Sequence, residues 1–279
     1  MRFVRTPEEI KQVQGVYARP QFLNVRSLTV VFETTPAAIE ALLPPPLEPA
    51  PEPLGIAWVA DVGNSNCVGP FMGAALYVRA RYKGITGNYC LAMPMSTVEA
   101  VTFGRELYGE PKKLAKIILE QEGEHIWGSA ERHNIRFLSL RGRLTESAPG
   151  GRNETSSFHF KYLPRADGSG FDYPPLLVRV ITESTVTSAQ RGKGELVLRD
   201  SPHDPLADIP VTQVVEATYS EGHNYTRGEV LCEVDPKAFL PYAFAKTDAM
   251  DVMVDGTIMQ AQAVRKTRGK GKGKWRTPA

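Results

Sequence analysis

The chain of 279 residues is 42% hydrophobic and 23% charged, an ordinary globular composition, and is long enough to bury roughly three quarters of its unfolded surface. Its 33 Lys and Arg nearly balance 31 Asp and Glu, and a net charge of +2 argues against nucleic acid as a partner. Cys67, Cys90 and Cys232 are far apart and form no CxxC pair, which suits a reducing compartment and excludes a disulfide framework.

Residues 1–23 read as an N-terminal extension. The opening MRFVRTPEEIKQ lacks the apolar centre of a signal peptide, and no run of about 18 apolar residues occurs, so a cytoplasmic protein without a membrane partner is expected. β-Branched and aromatic residues predict strands over 25–33, 54–62, 73–82 and 87–95, with Gly84 and Gly87 at the turn between the last two. Thr35 and Pro36 open a short helix after the first strand. Ser96 and Glu99 form an S-x-x-E capping box for a second helix, which Gly109 stops.

Further strands are predicted over 115–123, 125–131, 135–146, 156–164, 176–185, 194–200, 210–220 and 229–235. Asp235 and Pro236 open a last helix that Pro241 must kink or shorten. Residues 265–279, RKTRGKGKGKWRTPA, read as a flexible basic tail. Short Gly, Pro and Asp connections favour antiparallel pairing. The expectation is a single α+β, mostly antiparallel β domain over 24–264, its large curved sheet closing into a cone or barrel around an internal pocket, with few helices.

His125, His133, His159, His203 and His223 form no HxxxH or HxxH pair, so no metal and no cofactor is expected. The informative stretch is GRELYGEPKKLAKI, residues 104–117. Pro111 restricts the backbone before Lys112 and Lys113, a better setting for a reactive group than a floppy segment. A lysine of ordinary pKa, about 10.4, is almost never neutral at pH 7, so an amine nucleophile needs burial in apolar surroundings or a neighbouring cation. Leu107, Tyr108, Leu114 and Ile117 are apolar enough to line such a pocket, while the plain alternative is a solvated surface pair.

GRELYGEPKKLAK resembles the active-site segment of the acetoacetate decarboxylase superfamily, in which G-R-E is followed by P-K-K. The resemblance extends to NVRSLTVVFETTPAAIEALLPPPLE (24–48), FKYLPRADGS (160–169) and LVLRDSPHDPLADIPV (196–211), and covers about residues 24–245. It implies a cone-like barrel, a homo-oligomer and a Schiff base between Lys112 and a substrate ketone. The superfamily is itself the usual example of a lysine activated in this way. Lys113 is then the neighbour, either tuning Lys112 or turning away into a salt bridge. Arg105 and Glu106 are expected to brace the helix.

The family's decarboxylases carry a first-strand arginine and two pocket glutamates. Aligned from P-K-K, the glutamate positions hold Trp58 and Gly73, and Arg26 lies one residue out of register with the arginine. Trp58, Arg26 and Tyr108 are therefore the substrate-binding candidates, and Tyr242, in FLPYAFAK, is a candidate general acid beside the catalytic Lys112 and Lys113. Loss of both glutamates favours a lyase of aldolase–dehydratase or hydratase type, acting on a pyruvate-like 2-oxo acid. The alternatives are decarboxylation of a β-keto acid such as acetoacetate, or non-catalytic binding of a small ligand in the same cavity.

Overall fold

The computed structural model describes residues 2–248 together with residue 253, so the tail predicted at 265–279 lies outside the described residues. The chain divides into two compact units, Met1–Lys246 and Thr247–Ala279, and every element named below belongs to the first. Among the described residues no helix is long and apolar enough to cross a membrane.

A helix inside the expected N-terminal extension, α1 (Pro7–Ala18), owes its form to its start rather than to packing. Thr6 and Glu9 make a reciprocal capping box with Pro7 behind it, and no residue of the helix is buried. β1 (Gln21–Glu33) follows, then α2 (Pro36–Leu42), whose amide at Ala38 is capped by Thr35 as the sequence predicts. Next come β2 (Glu48–Pro49), β3 (Leu54–Ser65), β4 (Phe71–Tyr82) and β5 (Ile85–Met95). The turn between β4 and β5 is Lys83–Gly84, both at positive φ, while Gly87 lies within β5.

α3 (Val98–Leu107) is capped by Thr97 and not by Ser96. The Ser96 hydroxyl instead accepts the Met72 amide at 2.8 Å, which ties Ser96 to β4 and leaves the next residue to cap. β6 (Lys112–Leu114), β7 (Lys116–Glu122), β8 (His125–Arg132), β9 (Ile135–Ala148) and β10 (Gly151–Lys161) follow. The four strands predicted after residue 175 are two: β11 (Leu176–Leu198) and β12 (Gln213–Glu233). Bulges at Leu177/Val178, Val186/Ser188 and Arg191/Gly192 bend β11 without ending it. The last helix, α4 (Pro236–Phe239), is short, giving way to a 3₁₀ turn at Leu240–Tyr242 around Pro241.

The neighbours β5, β4, β3, β1, β12 and β11 pair antiparallel in that order. β10 then pairs antiparallel with β11 and parallel with β5, at Ser157–Asn88 and Phe158–Tyr89. That double pairing turns the curved sheet into a seven-stranded ring. The sheet is thus mixed, its parallel contacts confined to β10–β5 and β5–β6.

β11 keeps β12 on one edge as far as Gly192, while on its other edge its second half exchanges β10 for β9, which continues through β8 to β7. This flap packs on the outside of the ring. Leu28 and Val30 of β1, Val59 of β3 and Leu76 of β4 meet Ile126, Phe137 and Leu140 in one buried cluster. With that face of β1 committed to the core, its alternate residues, Val25, Ser27 and Thr29, face the ring interior.

Candidate active site

The ring encloses a cavity of about 440 Å³, within the usual size of small-molecule sites. Its apolar part includes Ile56, Trp58, Tyr77, Met93 and Met95, and its polar part includes Ser27, Thr29, Asn88, Ser157 and Thr182. Among the described residues lining it, the acidic and basic side chains are those of Glu110, Glu221 and Lys112.

Lys112 reaches this cavity because of how α3 ends. Gly109, at φ +80°, turns the chain, and the amides of Gly109 and Glu110 bond back to the carbonyls of Arg105 and Gly104 at 3.2 Å. A side chain at Gly109 would also collide with the backbone of Phe160 and Lys161, at 2.5 Å. From here the chain is extended and consecutive residues face opposite ways. Glu110 and Lys112 line the large cavity, whereas Gly109 and Pro111 line a second one of only about 20 Å³.

The same alternation separates the two lysines. Lys113 Nζ donates to the His203 carbonyl at 2.9 Å and to Asp204 Oδ1 at 3.0 Å. Arg132 Nε takes the other oxygen of Asp204 at 2.8 Å, and its Nη1 holds the Leu114 carbonyl at 2.8 Å. Lys113 is therefore a buried structural cation, locked on the far side of the strand. Asp204 lies in the 196–211 stretch, so that part of the sequence anchors the strand carrying both lysines.

Lys112 Nζ lies 2.8 Å from Glu110 Oε2, and both residues are only 8% exposed. Burial pushes the Glu110 carboxyl up, but the Lys112 charge, His159 and the contact with Lys112 outweigh it, leaving the group below its ordinary value. Room for this pair comes from α3. A Cβ on Gly104 would lie 1.9 Å from Glu110 Oε2 and 2.5 Å from Lys112 Nζ. The glycine of G-R-E is thus the floor on which the ion pair rests.

Trp58 and Gly73 both line the cavity and are matched in size: a Cβ at Gly73 would meet Trp58 Cζ3 at 3.3 Å and the Met95 side chain at 3.1 Å. The other expected residues are not brought into the cavity wall. Arg26 shares the Leu28 face of β1, opposite Val25 and Ser27, and pairs with Asp61 at 2.5 Å. Tyr108 is buried against Val178 and Val180, and its hydroxyl lies 3.3 Å from that of Thr226, which does line the cavity; burial raises this phenol to about 12. Tyr242 lines the small cavity instead, beside Phe239 and Lys246. Glu106 is exposed at the end of α3.

Four ionisable residues around the two cavities have no site role in the sequence-based expectations: Glu110 and Tyr77 in the large one, His159 and Lys246 in the small one. Glu110 stands in the quoted motif, yet nothing in the spacing marks it until the strand is known to point it at Lys112. Burial pushes the Tyr77 phenol well above its ordinary range. His159 Nε2 lies 2.8 Å from the Oγ of Ser157, which lines the large cavity, and its Nδ1 is buried without a hydrogen-bond partner among the described residues. Burial lowers His159 to about 4, with Glu110 opposing and Lys112 and Lys246 assisting. Burial also lowers Lys246, over the Tyr162 ring at 4.1 Å, to about 7, helped by Arg105 and Lys161.

A family model for acetoacetate decarboxylase matches residues 5–233. The acetoacetate decarboxylase of Paraburkholderia phytofirmans is 29% identical over 207 residues, covering 71% of this chain and 80% of that protein. The enzyme of the same name from Paraburkholderia xenovorans is 30% identical over 207 residues, with the same coverage of 71% and 80%. Among solved structures, the acetoacetate decarboxylase of Legionella pneumophila superposes with a TM-score of 0.70 at 23% identity, over 77% of this chain and 87% of that one. The enduracididine biosynthesis enzyme MppR, complexed with pyruvate, superposes with a TM-score of 0.67 at 16% identity, over 77% of this chain and 91% of that one.

Two outcomes follow from the buried site. His159 binds its proton near pH 4 in the folded chain but near pH 6.5 when unfolded, so stability falls as pH drops through that window. Glu110, whose folded value is lowered, adds a loss in the same direction below its unfolded value of 4.5. Urea unfolding is expected to show a loss of about 2 kcal/mol from His159 between pH 7 and pH 5. A His159→Asn variant should lack that part, and an unchanged slope would contradict the assignment. Gly104→Ala should fold yet lose roughly 10²-fold in turnover, by displacing the ion pair. Gly15→Ala, with no atom within 4 Å, should be silent in the same assay.

Proposed function

Because the chain belongs to the acetoacetate decarboxylase family, we propose that it is a lyase working through a Schiff base between Lys112 and a small oxo acid. The observation carrying this reading is the buried Lys112 amine in the wall of the 440 Å³ cavity, with its neighbour Lys113 consumed by Asp204. Condensation with a ketone gives an iminium, which accepts the electron pair released when an adjacent bond breaks. Loss of CO2 from a β-keto acid uses that sink, and so do aldol cleavage and the loss or addition of water at the β-carbon.

The pocket favours aldolase–dehydratase or hydratase chemistry on a pyruvate-like 2-oxo acid. Trp58 and Gly73 occupy the wall positions where the family's decarboxylases carry acids, which leaves an aromatic surface in their place. The cavity also has room for a second carbonyl compound beside a three-carbon acid. No arginine lines it among the described residues, so the substrate carboxylate is assigned to neutral donors such as Ser27, Thr29 and Asn88. Neither Tyr242 nor Arg26 takes part in this scheme. MppR, similar in fold, is described in complex with pyruvate and with a condensation product of pyruvate and an aldehyde. The second reading, decarboxylation of acetoacetate, has the support of relatives that bear that name at 29–30% identity.

Borohydride reduction with pyruvate, followed by intact mass, is expected to add one reduced adduct to the wild-type chain and none to Lys112→Ala. Acetoacetate should give the adduct with little CO2. CO2 release at the rate of trapping would favour the decarboxylase reading. Absence of an adduct with either acid would leave only a non-catalytic binding role.

A further inference from the structure

The two lysines meet two kinds of carboxylate contact, Lys112 on the cavity side of the strand and Lys113 on the far side, and the difference between them is informative. Asp204 is saturated: its two oxygens bind two separate buried cations, Lys113 and Arg132, as expected of a structural group. Glu110 is not. Its Oε2 lies 2.8 Å from Lys112 Nζ as an ion pair and, although buried, has no hydrogen-bond partner among the described residues. A buried carboxylate with one partner is costly unless that partner is needed. Gly104, meanwhile, clears the space that both side chains occupy. The titratable groups around Glu110 are Lys112 on β6, His159 on β10, Tyr77 on β4, Cys90 on β5, Tyr108 at the end of α3, and Lys246. Of these, Lys112 is the group in direct contact with the carboxylate.

We propose that Glu110 is a catalytic residue, the acid–base group that moves protons at Lys112 Nζ during iminium formation. The inference rests on the Schiff-base reading and adds to it the identity of the acid. In the resting pair the amine is an ammonium and the acid a carboxylate. Glu110 takes one proton from Nζ, and the freed lone pair attacks the substrate carbonyl carbon. The C–N bond forms as the C=O π bond opens onto oxygen, which takes the first proton back from Glu110 to give the carbinolamine. A second Nζ proton passes to Glu110, and the acid protonates the hydroxyl as it departs. In sum, an ammonium with three protons and a ketone become an iminium with one N–H and a water with two. Glu110 returns as a carboxylate beside the new cation.

Two roles predict opposite signs. A bare ion pair holds Lys112 protonated, so removing it would speed attack on a ketone. An acid–base group makes attack slower when removed. The experiment is quenched-flow borohydride trapping of pyruvate by the full chain, comparing wild type, Glu110→Gln, Glu110→Asp and Glu110→Ala. Glu110→Gln is expected to form the adduct roughly 10²- to 10⁴-fold more slowly, with Glu110→Asp partly restored. In Glu110→Ala, added formate should accelerate trapping in proportion to its concentration, a response that a purely structural carboxylate would not give. Trapping by Glu110→Gln as fast as or faster than wild type, or no response to formate, would overturn the assignment while leaving the Schiff base intact. Failure of the wild-type chain to trap pyruvate would remove both.

Discussion

An extended strand turns consecutive side chains to opposite faces, and at Lys112–Lys113 that single fact creates the site. Two residues with the same chemistry sit in one dipeptide, yet one amine lines a cavity and the other is bolted to Asp204, whose second oxygen Arg132 holds. The bolt matters as much as the free amine. With Lys113 pinned, β6 cannot slip by one residue, and a slip would exchange the two lysines. Gly109 sets the phase of this alternation by ending α3 where it does, and Gly104 keeps the helix surface low enough for the Glu110–Lys112 pair.

The remainder of the fold gives that strand a cavity to face. Ring closure depends on β10, which pairs with both β5 and β11 and completes the enclosure with only two parallel residue pairs. Pressing β7, β8 and β9 against the outer face of β1 and β3 commits Leu28, Val30 and Val59 to the core. This leaves the alternate residues of the same strands for the cavity. The enclosure also explains the perturbed groups: His159, Tyr77 and Cys90 are buried, so their neutral forms are favoured.

Local features were readable from sequence wherever a short-range rule dictates them. The Thr35 cap with Pro36 and the Gly109 stop are of this kind, and the resemblance from residue 24 onward carried the barrel. What was not readable depends on contacts between distant strands. The Ser96 cap failed because a β4 amide claimed its hydroxyl. Arg26 needed the register of β1 to be placed, and one residue decided which side of the ring it faces. α1 was missed because its apolar residues bury nothing, leaving only the Thr6–Glu9 box as a signal. Glu110 was passed over because a glutamate before Pro-Lys-Lys looks solvated until Gly104 is seen beneath it. His159 and Lys246 acquire their character from burial by β5, β10 and the segment after α4, which no spacing rule reveals.

The central claim is that these adjacent lysines differ in kind, and localising the reduced adduct tests it most directly. After borohydride treatment with pyruvate, tandem mass spectrometry of the peptide spanning Gly104 to Ile117 should place the whole increment on Lys112. An increment on Lys113, or one shared equally between the two, would contradict the account.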